Sequence, residues 1–146
     1  MSQEIISEIH LTLLSDIKYL EVVQSVSDSF SSLAGLDGED AYWVGLSIRE
    51  AVTNAIMHGN KDDSSVPVKL SFRQASDKLI VTVKDQGEGV DESKIPDPLN
   101  PDNLLKPGGR GIFLVKSFMD NVFFNTPEEG GNELVMEKFF KEGVKK

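Results

Sequence analysis

Three groups of residues in this chain have types and spacings that could do chemistry. Glu50 and Asn54 stand four residues apart in Glu50-Ala-Val-Thr-Asn54-Ala, which on a helix sets both side chains on one side. A Glu can take a proton from a hydroxyl or a water. An Asn carboxamide oxygen can ligate a hard cation such as Mg²⁺, which keeps several waters and leans on substrate phosphates. Together they could serve phosphoryl transfer; a solvated helix edge is the structural alternative. Asp85 ends the alternation Leu79, Val81, Val83, Asp85, so a carboxylate falls where another buried apolar residue is due, and it needs donors there. In Asp85-Gln86-Gly87-Glu88-Gly89 the two glycines allow left-handed dihedrals and close approach of a flat ligand to bare backbone. An adenine amino group would suit this carboxylate; an Asp-x-Gly turn at a strand end is the alternative. Gly108-Gly109-Arg110-Gly111 stands at the start of a helix, where each glycine inside the helix costs about 1 kcal/mol relative to Ala. Bare N–H groups at a positive helix end form an anion site, and Arg110 can fork onto phosphate oxygens, so a triphosphate tail fits. A loop end with a surface Arg is the alternative. The stretch is not a P-loop, and Leu114 stands where the third glycine of a dinucleotide fingerprint belongs.

These residues need elements to position them. Residues 5–13 alternate Ile5, Ser7, Ile9, Leu11, Leu13 against Ile6, Glu8, His10, Thr12, the period of a half-buried strand. Asp16 can cap a helix whose apolar residues recur at three or four positions from Ile17 through Leu20, Val23 and Phe30 to Leu33, with Gly35 as its stop. A second, central helix is expected from about Glu39 to His58, with Asp37, Glu39 and Asp40 at its positive end and Gly59-Asn60 at its finish. It carries Glu50 and Asn54 beside an apolar stripe of Val44, Ile48, Ala51, Val52 and Ala55. Trp43 on this helix reads as packing. Two β-rich runs, 66–74 and 78–85, flank Ala75-Ser76-Asp77 as an antiparallel hairpin that delivers Asp85 at its end. Regularity is lost over 86–109, where Pro96, Pro98, Pro101 and Pro107 fall. A short helix from about Gly111 to Asp120 and strands at 122–126 and 133–140 complete the order β α α β β loop α β β. Segregated helices and mainly antiparallel strands predict an α+β fold: a two-layer α/β sandwich with a mixed, mainly antiparallel sheet and helices on one face, as one domain over 1–146.

Composition narrows the function. Fifteen Lys and Arg against 24 Asp and Glu give a net charge of −9, a field that repels phosphate backbones, so direct nucleic-acid binding is not expected and a basic protein partner is allowed. An anionic ligand must be met by local cations, a metal ion or backbone N–H groups. There is no Cys, and His10 and His58 are far apart, which is thin material for a transition-metal site. No apolar run approaches the ~20 residues of a membrane span, and the first residues lack a secretion-signal pattern. No membrane association and a cytoplasmic location are expected.

Taken in order, Glu50-Ala-Val-Thr-Asn54-Ala, Asp85-Gln-Gly87-Glu-Gly89 and Gly109-Arg-Gly111 resemble the N, G1 and G2 boxes of the GHKL ATPase superfamily of gyrase, Hsp90, histidine kinases and MutL, which share the Bergerat-type ATP-binding fold. Within it, Arg49-Glu-Ala-Val-Thr-Asn-Ala-Ile-Met-His-Gly-Asn60 and Gly-Gly-Arg-Gly-Ile-Phe-Leu-Val-Lys-Ser-Phe-Met-Asp120 are most similar to the anti-sigma factor serine/threonine kinases, over residues 5–140 or so. The resemblance implies ATP and Mg²⁺ as cofactors. It makes Glu50 the catalytic base and Asn54 the Mg²⁺ ligand. Asp85 becomes the adenine reader, with Gly87 and Gly89 beside the base, and Gly109, Arg110 and Gly111 meet the phosphates. Residues of about 91–108 become an ATP lid, stiffened by its prolines. The implied partners are an anti-sigma factor antagonist phosphorylated on Ser or Thr and, in another state, a sigma factor. A homodimer seamed on the first strand or the sheet face is a further expectation of the family. Two other readings stay open: a nucleotide-sensing module that sequesters a protein without transferring phosphate, and a detached histidine-kinase catalytic domain. The second is disfavoured because no helical hairpin with a phosphoacceptor His precedes the domain, and His10 falls on a strand.

Overall fold

The computed structural model describes residues 4–87 and 109–141, with the backbone alone for 109–113. The expected lid and Gly89 lie outside the described residues. Five strands form one sheet in the order β1-β2-β3-β5-β4: β1 (Ile5–Leu14), β2 (Pro67–Ala75), β3 (Lys78–Asp85), β4 (Asn121–Asn125) and β5 (Asn132–Phe139). Every described pairing is antiparallel, so the parallel component that a mixed sheet allowed does not occur among these strands. Period-two alternation gives the sheet two unlike faces. Val68, Leu70 and Phe72 of β2, Leu79, Val81 and Val83 of β3, and Leu134 and Met136 of β5 point into one core with the helices. The opposite face is held by charge, with Lys78 paired to Glu137 at 3.0 Å and Arg73 to Glu8 at 3.3 Å.

Three helices cover the apolar face. Asp16 caps a short 3-10 turn, Ile17–Tyr19, by accepting from the Lys18 N–H, and α1 (Leu20–Ala34) follows. Its buried positions, Leu20, Val23, Ser27, Phe30 and Ala34, keep helical spacing. The helix stops at Gly35, whose φ of 87° lets the chain reverse so that the Leu36 N–H reaches the Ser31 carbonyl at 3.0 Å. Asp37 caps α2 (Gly38–Asn54) by accepting from the Asp40 N–H at 2.7 Å. Helix α2 buries Val44, Ile48, Ala51 and Val52 and lies between α1 and α3 (Gly109–Phe118). Trp43 of α2 stacks on Phe118 of α3 with centroids 4.2 Å apart, so it packs as expected and docks α3 on the helix that carries Glu50 and Asn54. Helix α3 starts two residues earlier than the glycine pattern suggests. Residues 109–111 are therefore its first turn, where an α-helix leaves its N–H groups without intrahelical partners.

Candidate functional site

The site is built where α2 runs into the end of β3. Glu50 and Asn54 lie one turn apart on α2, about 6 Å along its axis, and both are half-buried at the edge of its apolar stripe. The α-helix ends at Asn54. An α-helix was expected to run on to His58; instead Ala55–Gly59 forms a π-helical turn, closed by the Asn60 N–H on the Ala55 carbonyl at 2.8 Å. Such a turn holds one more residue than an α turn and is often found at functional sites. Immediately after it, Lys61 and Asp62 take left-handed φ values of 52° and 58°, and the chain leaves for β2.

The widened turn sets Gly59 directly against Asp85. A Cβ at residue 59 would overlap the Asp85 carboxylate. A Cβ at Gly87 would stand 2.7 Å from the Gly59 carbonyl oxygen and 3.0 Å from Asp85 Oδ1. Gly131, with φ of 87°, presses on the Asp85 carbonyl in the same way. Three bare α-carbons, from the π-turn, the segment after β3 and the approach to β5, thus crowd one residue. Asp85 is the last residue of β3 and only 6% exposed, on the core side of the sheet, as the alternation predicts. Its Oδ1 accepts from the Gly87 N–H at 2.7 Å. Burial pushes the carboxyl pKa up from its ordinary value, and this one backbone donor offsets the rise only partly. Across the sheet its register partner is Asn132, also buried, whose Oδ1 has no hydrogen-bond partner among the described residues. Gly59→Ala should be poorly tolerated: overpacking against the carboxylate is expected to cost about 1–3 kcal/mol, read as a lowered midpoint in denaturant unfolding. An unchanged midpoint would show that the turn and the carboxylate can part freely.

Beside this cage opens a cavity of about 360 Å³, lined by His58, Gly59, Asn60, Lys61, Val66, Gln86 and Gly87. The structure therefore brings Asp85 and Gly87 together with the C-terminal end of the Glu50/Asn54 helix, and places the backbone of Gly109, Arg110 and Gly111 at the start of the helix docked on it. The Arg110 side chain and Gly89 lie outside what is described. Gly59, Asn60, Gly131 and Asn132 also stand around Asp85 or the cavity, though none was among the candidate site residues. Gly59 and Asn60 showed in the sequence as a helix stop and at the end of the segment most similar to the anti-sigma factor kinases. No group of three or more His, Cys, Asp or Glu among the described residues could hold a metal ion. Asn54, half-buried on α2, offers a neutral carboxamide oxygen, a donor of the kind that Mg²⁺ takes singly or in pairs while water and phosphate complete its shell.

The fold and this site define a class. The family described as "Histidine kinase-like ATPase domain" matches residues 13–138. Serine-protein kinase RsbW of Staphylococcus epidermidis is 30% identical over 140 residues, covering 91% of this chain and 87% of that one. Serine-protein kinase RsbW of Staphylococcus aureus is 27% identical over the same shares. The crystal structure of the RsbU and RsbW domains of a Mycobacterium tuberculosis protein superposes with a TM-score of 0.66 at 17% identity, covering 92% of this chain. This chain spans 33% of that longer one, and the likeness is one of fold. The chain belongs to the histidine kinase-like ATPase family, in its anti-sigma-factor kinase branch. Among the described residues no helix is long and apolar enough to cross a membrane.

Proposed function

We propose that this chain is a cytoplasmic, ATP-dependent serine/threonine protein kinase that phosphorylates an anti-sigma factor antagonist and, in another state, binds a sigma factor. The observation that carries this reading is the continuity of α2, its π-turn and the Asp85 cage, which joins the helix of Glu50 and Asn54 to the buried Asp85 carboxylate in one packed unit. In this reading Asp85 accepts from the adenine amino group while Gly59 and Gly87 leave the base room to approach. The N–H groups of residues 109–111, with Arg110, meet the phosphates. Glu50 takes the proton of the antagonist's Ser or Thr hydroxyl as its oxygen bonds to the γ-phosphorus; the bond from that phosphorus to the ADP oxygen breaks, and ADP leaves with the electron pair. Asn54 Oδ1 would hold Mg²⁺, which when bound neutralises phosphate charge.

Support comes from family membership and from the half-buried edge of α2, where neither Glu50 nor Asn54 spends its polar atoms on a described neighbour. Purified protein incubated with labelled ATP and antagonist proteins bearing a candidate Ser or Thr should transfer label to the antagonist. ATP binding without transfer would favour the sequestering module instead. Asn54→Ala should weaken ATP binding about tenfold in the presence of Mg²⁺ and leave binding in excess chelator unchanged within twofold, as read by calorimetry. Equal losses with and without the metal would assign Asn54 to the nucleotide itself.

A further inference from the structure

Asn60 is almost fully buried, at 6% exposure, in the residue that follows the π-turn. Its Nδ2 donates to Ser15 Oγ at 2.9 Å and to the Pro67 carbonyl at 3.1 Å. Its Oδ1 accepts from the Gln86 N–H at 2.8 Å. Ser15 Oγ in turn donates to the Val66 carbonyl at 2.6 Å, which leaves its lone pairs for Asn60. The orientation of the carboxamide is forced, because the Gln86 N–H can only donate and the Pro67 carbonyl can only accept. Both amide hydrogens and one oxygen lone pair are committed, so this side chain is built to hold protein and not to read a ligand.

What it holds is the wall of the cavity. The three segments it joins are the residue after β1, the first residue of β2 and the residue after β3. Gln86 and Gly87 line the cavity, and the Gly87 N–H is the donor that fixes Asp85 Oδ1. Without Asn60 Oδ1 the Gln86 N–H loses its partner, and the peptide that aims Gly87 at Asp85 is no longer tied to the end of the helix that carries Glu50 and Asn54.

We infer that Asn60 is a positioning residue for nucleotide recognition: through the Gln86 backbone it sets the Asp85–Gly87 segment in the geometry that accepts the base. This rests on the ATP-kinase reading of the site. Asn60→Ala should raise the Kd and KM for ATP about tenfold with kcat within twofold, and should speed hydrogen exchange at the Gln86 amide. Ser15→Ala is the matched control. It cuts the same network on the β1 side and lowers thermal stability, yet should leave ATP affinity and Gln86 exchange as in the wild type. Affinity within twofold of wild type in Asn60→Ala overturns the inference, as does loss of affinity in both variants in proportion to their melting temperatures. Should Asn60→Ala not fold, the wild type still decides. Its Gln86 amide must be protected in the absence of nucleotide, and exchange at the rate of an open loop overturns the assignment. Failure of the wild type to bind ATP saturably overturns the kinase reading instead, and the Gln86 exchange measurement separates the two failures.

Discussion

Glu50→Gln is expected to lower the single-turnover rate of phosphoryl transfer from ATP to the antagonist by roughly 10²–10⁴-fold while the Kd for ATP stays within about twofold. The substitution keeps the shape of the side chain and removes its capacity to take a proton. Because the positioning of ATP is assigned to other residues, the loss should fall on the chemical step alone. Glu50 is half-buried at the edge of α2 and outside the core cluster, so the variant should fold within about 0.5 kcal/mol of the wild type. Rapid-quench measurement with labelled ATP, paired with calorimetric titration of each variant, gives both numbers. A rate reduced by less than tenfold would remove Glu50 from the role of base. A parallel loss of affinity would make it a nucleotide contact instead.

Asp85→Asn is expected to weaken ATP binding by about 100-fold, because an amide presenting hydrogens to the adenine amino group replaces an acceptor with a clash of donors. The same variant should be more stable than the wild type without nucleotide, which is the opposite of what a residue kept for folding would show. The sign follows from the raised pKa. Between the ordinary Asp value of 3.8 and the higher value in the folded protein, the folded chain holds a proton that the unfolded chain has already released. Stability therefore falls as pH rises through that window, and the cost of ionising Asp85 is fully present above it. The neutral amide does not incur that cost. Its advantage in melting temperature at pH 7 should shrink on acidification and vanish near pH 4, close to the unfolded value. Melting curves over this range test it, and an advantage that does not change with pH would mean that burial of the charge is not its cause.

Much of this was legible in the residues, and the exceptions share a cause. The strands showed as alternation, and the alternation of β3 alone put Asp85 on the buried side. The bounds Asp16 and Gly35 were legible for the first helix; Gly35 stops α1, while Asp16 caps a 3-10 turn and α1 itself starts only at Leu20. The π-turn was not legible, because Ala55–Gly59 continues the α-helical pattern and the change is a shift of hydrogen-bond partner where the turn meets β3. Asn60 read as a helix-end residue for a related reason. Its partners Ser15 and Gln86 are 45 and 26 residues away, and nothing local announces them. Gly131 likewise reads as a turn residue, and only the pairing of β3 with β5 brings it onto Asp85.

The crowding of Gly59, Gly87 and Gly131 around the single residue Asp85 has an evolutionary consequence. A methyl group gained at residue 59 meets the carboxylate, so the simplest compensation is to shorten Asp85, which also discards the acceptor; one gained at residue 87 meets the Gly59 backbone first and is not relieved in this way. Losing the ligand and relaxing Gly59 are therefore coupled events. Descendants that had given up their nucleotide and survived as pure protein traps should carry a larger residue at 59 together with a truncated or apolar side chain at 85, a pattern by which inactive members could be sorted from active ones without an assay.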